Sequence, residues 1–290
     1  MQRATHGPRS PYENCQIVLT TKHEKVVAIR PAFQELLSAE VVECEFDTDQ
    51  LGTFSGEVER PGTALECARR KCVAGMRLAG AKYGLASEGS FGPHPTIPFF
   101  ACDYEILYFI DQERGIQVHE SILSEKTNYR TACLGSFQEL DQFAEKSRFP
   151  SHALIIRPNV WRDRSVIFKG IQSQDVMHHA FSQCLNLSED GRVWVETDMR
   201  AHVNPSRMAV IGELALKLGK RLATECPSCK TPGWGVVSYE KGLRCEYCNL
   251  PTELVSFEIS GCPSCQFSER KGRSDGQKSA SQRYCGWCNP

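Results

Sequence analysis

The chain has 290 residues and a formal net charge of −1, so no global field draws it toward nucleic acid or an anionic membrane. Its apolar and charged fractions, 41% and 24%, are those of a globular chain, and no run approaches the roughly 20 apolar residues of a spanning helix. The length predicts two domains.

Residues 1–13 are polar, lack the apolar stretch of a signal peptide, and read as a frayed tail. Residues 15–21, CQIVLTT, form the expected first strand. A helix is expected over 25–38, with Val26, Ile29, Phe33, Leu36 and Leu37 at helical spacing; Pro31 marks its first turn or a kink. Residues 41–46 read as a second strand and 47–61 as a loop rich in acid, Gly and Thr. A helix over 63–79 carries Leu65, Ala68, Cys72, Met76 and Ala79 on one stripe, and 83–89 returns as a strand. Two apolar runs, 100–111 and 115–123, meet at Gln112-Glu113-Arg114 and predict a hairpin. Helices follow over 136–147 and 174–185, with short strands over 153–157, 166–168 and 192–196. Asn204 then caps a helix with Pro205 at its first position, running toward Thr224. The interleaving predicts an α/β domain over 14–224, a mixed sheet flanked by helices, with a small metal module over 225–290.

Fifteen cysteines are present, an odd number, and eight of them fall into four Cys-x-x-Cys pairs at the end of the chain. Without a secretory signal, this pattern predicts reduced thiols, metal and a cytoplasmic location. Cys226 and Cys229 precede Cys245 and Cys248 by fifteen residues; Cys262 and Cys265 precede Cys285 and Cys288 by nineteen. Both spacings match tetrahedral zinc sites built from four cysteines, so two structural Zn2+ ions are expected. Consecutive knuckles are expected to pair, and a crossed pairing of first with third and second with fourth is the other option. The intervening residues are too polar for a core, so metal supplies much of the module's folding free energy. Such a double zinc ribbon either stabilises the chain and docks on protein, or contacts nucleic acid through Arg270, Lys271, Arg273, Lys278 and Arg283.

The other notable residues lie around the helix over 63–79. Phosphoryl chemistry requires oxygen ligands for magnesium, cations against the phosphates, and a placed water. Glu59, Glu66 and Glu88 can supply the carboxylates, and Lys25 and Lys71 the cations. Glu66 with Arg70 also reads as an ordinary i,i+4 pair. The loop before the last helix adds Arg200 and Arg207 at a helix N-terminus, where backbone N–H groups favour anions; a capping loop with Asp198 paired to Arg200 is the simpler reading there.

Three blocks give these residues a resemblance. Leu19-Thr20-Thr21-Lys22-His23-Glu24-Lys25 follows the first strand. Glu59, Gly62 and Thr63 precede Glu66-Cys67-Ala68-Arg69-Arg70-Lys71-Cys72. Ser87-Glu88-Gly89-Ser90 stands at a strand end. In order and spacing, residues 15–125 resemble the inosine-triphosphate pyrophosphatase group of nucleotide hydrolases. Cys67 replaces that group's helix Asn, and Ser87 replaces its first acid. The resemblance implies that Thr21 and Lys25 bind phosphates, that Glu59 and Glu88 hold Mg2+ or orient water, and that Lys71 neutralises polyphosphate. The expected ligand is a nucleotide or other phosphorylated small molecule, either hydrolysed to release pyrophosphate or bound without reaction. The whole chain also resembles an uncharacterised bacterial group that joins such a front domain to a cysteine-rich tail.

Overall fold

The computed structural model describes residues 10–44, 62–94, 97–160 and 166–289. Three sheets are present among them. The first runs β2-β1-β3-β4-β5, from β1 (Gln16–Thr20), β2 (Glu40–Cys44), β3 (Tyr83–Pro93), β4 (Ala101–Asp111) and β5 (Ile116–Ser124). β1 lies parallel to both β2 and β3, while β3, β4 and β5 form an antiparallel meander. The sheet is therefore mixed.

Helix α1 (Val26–Leu37) joins β1 to β2, and α2 (Ala64–Ala79) precedes β3. The period-two alternation of β3 and β4 sorts their side chains between two faces. Leu85, Leu107 and Phe109 pack with α1 and the last long helix, α5 (Pro205–Leu222). Ala86, Ile106 and Tyr108 pack against Ala68, Cys72 and Met76 of α2. Thr63 and Glu66 close a capping box at the start of α2, so Glu66 serves the helix terminus. Pro31 lies inside α1, beyond its first turn.

A second, smaller lobe is inserted between β5 and α5. Its sheet runs β6-β9-β7-β8, from β6 (Thr131–Leu134), β7 (Leu154–Pro158), β8 (Phe168–Ile171) and β9 (Val193–Thr197). Helices α3 (Phe137–Lys146) and α4 (Gln174–Leu187) share a separate core with it, around Leu140, Phe143, Leu154, Ile156, Phe181 and Val195. The region read as one sheet thus holds two sheets, one with a core on each face and the other with a core of its own. β6 is too short and mixed in composition to show an alternating pattern, and β8 begins at Phe168 where a strand over 166–168 was expected.

Tyr12 is fully buried, edge-on to the rings of Tyr83 and Phe109, with its hydroxyl donating to Asp111 at 3.2 Å. Residues 10–13 therefore pack on the first sheet; residues 1–9 lie outside the described set. The third sheet, of β10 (Gly235–Lys241), β11 (Val255–Gly261) and β12 (Ser268–Gly272), is an antiparallel meander within the cysteine module. Among the described residues no helix is long and apolar enough to cross a membrane.

α2 approaches β1 closely at Gly75, where an added Cβ would stand 1.7 Å from Thr20 Oγ1 and 2.9 Å from Thr20 Cβ. Gly75→Ala is expected to force the helix off the sheet and cost about 1–3 kcal/mol, read from urea unfolding. An unchanged midpoint would mean that Thr20 simply rotates away.

Candidate functional site

β1 ends at Thr20 beside Ala86 of β3, so Ser87 and Glu88 lie just beyond its carboxyl end. The chain leaves β1 for α1 on one face and reaches β3 from α2 on the other, which opens a crevice at these strand ends. Lys25 immediately precedes α1 and is buried; its Nζ donates to Ser87 Oγ at 3.0 Å and lies 3.9 Å from Glu105 Oε2. On the α2 face, the buried Lys71 forms an ion pair with Glu88. Thr21 is buried, with its hydroxyl donating to the Lys22 carbonyl at 3.0 Å. Glu59 lies outside the described residues.

The loop between β9 and α5 closes the crevice from the second lobe. Arg207 is fully buried; its Nε donates to Glu105 Oε1 at 2.6 Å and its Nη1 to the Met199 carbonyl, while the guanidinium stacks 5.0 Å from the Phe91 centroid. This crossing depends on Gly89: an added Cβ would stand 2.3 Å from Glu105 Oε1 and 2.6 Å from Arg207 Nη2. Asn204 caps α5 through the Arg207 N–H and also donates to Asn128 Oδ1 at 2.9 Å. Arg200 is held by Asp198, with Nε donating to both carboxylate oxygens at 3.0 and 3.1 Å. That pair is the simpler reading of the loop.

Four cationic side chains named from the sequence therefore sit around the strand ends, each beside a carboxylate. Three further groups escaped notice. Asp103 and Glu105 are both fully buried on β4, and His23 stacks on His202 with ring centroids 5.0 Å apart. A signal for the first two exists: they occupy alternate positions of a strand whose same face continues as Leu107 and Phe109.

The electrostatics follow from burial and crowding. Burial, then the charge of Arg207, lowers the Lys25 amine from 10.5 to about 8. Burial, then His202, Lys25, Arg200 and Arg207, lowers His23 to about 3. Burial is the larger cause for both groups, and the neighbouring cations at the end of β1 add to it. Asp103 is raised to about 8, by burial first and then by Glu105. No N–H or hydroxyl donates to either Asp103 oxygen or to Glu105 Oε2, and the protonated Asp103 carboxyl lies against Glu105.

The magnesium implied by the resemblance meets an unsuitable donor set. Among the described residues, no carboxylate belongs to a set of three or more close enough to share a cation. Glu88 is engaged by Lys71, and the unpartnered oxygens of Asp103 and Glu105 face Lys25 and Arg207. These residues do not fit a preformed octahedral oxygen site.

The cysteines gather into two groups of four with the ligand set of structural zinc sites. Cys226, Cys229, Cys262 and Cys265 make one group, and Cys245, Cys248, Cys285 and Cys288 the other, each with its sulfurs within 4.8 Å of one another. The expected pairing of consecutive knuckles is thus corrected to the crossed one. The reason lies in the three-stranded sheet. β10 leaves the first knuckle and β11 enters the third as antiparallel neighbours, with Gly235 opposite Gly261, so these two knuckles meet at one end. Sulfur separations of 3.8 and 3.5 Å in the first group and 4.0 and 3.5 Å in the second fit the edge of about 3.8 Å set by a Zn–S bond of about 2.3 Å. The backbone N–H groups of Ser264 and Cys265 donate to Cys262 Sγ at 3.3 Å each. Four thiolates leave no open position, so both zinc sites are structural.

Two outcomes are expected. Cys226→Ser with Cys262→Ser should leave one zinc per chain by elemental analysis, whereas Cys226→Ser with Cys245→Ser should leave none; the reverse result would restore consecutive pairing. For Asp103, the native fold favours the protonated form. Its contribution is fully present below about pH 4 and is lost as pH rises through about 8. Asp103→Asn should therefore gain stability relative to the unmodified chain between pH 5 and pH 8 in urea unfolding. A difference that stays constant would show that the ionised carboxylate is held as well as the acid.

Comparison with curated proteins gives no match. A protein family described as a domain of unknown function, DUF6671, matches residues 71–290, three quarters of the chain. The match takes in Lys71, Glu88, Glu105, Arg207 and all eight paired cysteines, and begins after Thr21 and Lys25. The chain belongs to the DUF6671 family.

Proposed function

We propose that the crevice at the ends of β1 and β3 binds a phosphorylated small molecule, with a nucleotide the best fit. The observation that carries this reading is the gathering of Lys25, Arg200, Arg207 and the stacked His23 and His202 at one strand end; burial first, and then these neighbours, lower Lys25 and His23. An anion placed there relieves the crowding of positive charge, and a phosphate is the anion that such a set of donors suits. The resemblance to the inosine-triphosphate pyrophosphatase group supports the same assignment for Thr21, Lys25 and Lys71.

A second feature supports a ligand with an apolar part. Phe91, Tyr104, Leu123 and Cys102 line a largely apolar cavity of about 350 Å3. Phe91 is three residues beyond Glu88, roughly 10 Å along the strand. A nucleotide divides in this way, with phosphates at one end and a flat ring at the other.

Binding is proposed ahead of hydrolysis. Pyrophosphohydrolysis requires oxygen ligands for magnesium, and of the carboxylates assigned to it, Glu88 is engaged by Lys71 and Glu59 lies outside the described residues. The zinc module acts as a structural partner, because its metals are saturated.

Calorimetry with inorganic pyrophosphate and nucleoside triphosphates, with and without Mg2+, tests the reading. Pyrophosphate should bind, and its affinity should fall as pH rises through about 8, because the cationic Lys25 is lost there. Lys25→Met should weaken binding at least tenfold at pH 7 and flatten that pH dependence. Failure of every phosphate ligand to bind would sink the proposal. Magnesium-dependent release of pyrophosphate would make the protein a hydrolase, whereas tight binding without turnover would make it a binding protein.

A further inference from the structure

The two zinc sites differ in what their knuckles present to solvent. In the first, both knuckles enclose Pro-Ser, as Pro227-Ser228 and Pro263-Ser264. In the second they enclose Glu246-Tyr247 and Gly286-Trp287. Tyr247 and Trp287 occupy the same knuckle position, directly before the second cysteine, and are 77% and 76% exposed. Their cysteines share one metal site, so the two rings flank a single centre. Tyr284, also exposed, ends the short turn that leads into Cys285. The rings near the first site behave otherwise: Trp234 is buried and packs on Phe267, with centroids 5.4 Å apart. The Gly233 and Trp234 N–H groups there donate to the Thr224 carbonyl, just beyond α5.

Charge singles out the same patch. The cations of the three-stranded sheet are neutralised locally: Arg270 by Glu240 at 2.7 Å, Lys271 by Glu269 and Lys241 by Glu253 at 2.9 Å, and Arg273 by Asp275. Three of the five basic residues marked from the sequence as nucleic-acid contacts are thus engaged with acids. Arg244, Lys278 and Arg283 are in no ion pair among the described residues. Arg244 accepts the Ala280 N–H at 2.8 Å through its carbonyl, and Glu246 donates its N–H to the Ala280 carbonyl at 2.9 Å. The stretch carrying Lys278 and Arg283 therefore runs beside the Cys245 knuckle, and Glu246 is its one acidic neighbour in these two segments.

We propose that this face binds single-stranded nucleic acid. Bases stack on Tyr247 and Trp287, and Arg244, Lys278 and Arg283 contact the phosphates. Rings and unneutralised cations side by side suit a strand that alternates flat bases with negative charge. A protein interface is enriched in such rings and in arginine as well but has a core depleted in charge, so the three cations against one acid are what favour a phosphate-bearing strand. Every base has a face to stack, so little sequence preference is expected. The inference is independent of the crevice and of what the crevice binds.

Fluorescence anisotropy of the full, zinc-loaded chain with labelled twelve-residue oligo(U), oligo(dT) and a duplex of equal length tests it. The single strands should both bind more tightly than the duplex. Tyr247→Ala with Trp287→Ala should weaken single-strand binding at least tenfold while two zinc ions remain per chain. Lys278→Gln with Arg283→Gln should reduce the slope of log affinity against log salt by about 1.4. No single-strand binding at about 150 mM salt would overturn the proposal. So would binding that survives loss of both rings but is lost in Lys25→Met, which would place the contact in the crevice. Ring-dependent dimerisation without oligonucleotide binding would overturn it as well, by making the patch an interface between copies.

Discussion

The fully buried ion pair between Arg207 and Glu105 is the constraint around which the crevice is built. Desolvating two charges costs several kcal/mol per ion, so such a pair persists only where its geometry is fixed from several sides. Here Gly89 leaves room for it, Met199 accepts a second hydrogen bond, and Phe91 covers the guanidinium. The pair joins α5 and the loop after β9 to the central hairpin, and so ties the second lobe to the first. It also brings a positive charge to within reach of Lys25, whose amine gives up its proton more easily as a result.

The crevice is a close arrangement of opposite charges. Lys25, Lys71, Arg200 and Arg207 each have an acidic neighbour, so the resting protein tolerates their proximity. Asp103 is the exception among the acids. It lies against Glu105, and two carboxylates in a dry site cannot both carry charge at neutral pH, so the proton stays on one of them.

Much of this was legible beforehand, for identifiable reasons. The helices over 26–37, 64–79 and 205–222 have apolar stripes at helical spacing or explicit caps, and both kinds of signal act locally. The hairpin of β4 and β5 was visible because a short polar turn separates two long apolar runs. The separate second sheet was not, because sheet membership depends on pairings such as Thr131 with Glu196, which leave no mark on either segment alone. Arg207 could be singled out as a cation near a helix start, yet its partner, 102 residues earlier, could not. The cysteine spacings revealed two four-thiolate sites but not their partners, since the partners are set by how β10 and β11 fold back on one another.

Crossed knuckles have a consequence for the order of assembly. The segment between the halves of the first site contains half of the second, and the second is completed only by Cys285 and Cys288. A growing chain that has reached Cys248 already carries four cysteines of the module, but they belong to two different centres. It has no native four-thiolate site for zinc until Cys265 is made, and the last knuckle then locks the sheet between the two ions. The metal module is therefore a clasp whose second catch closes only with the final knuckle.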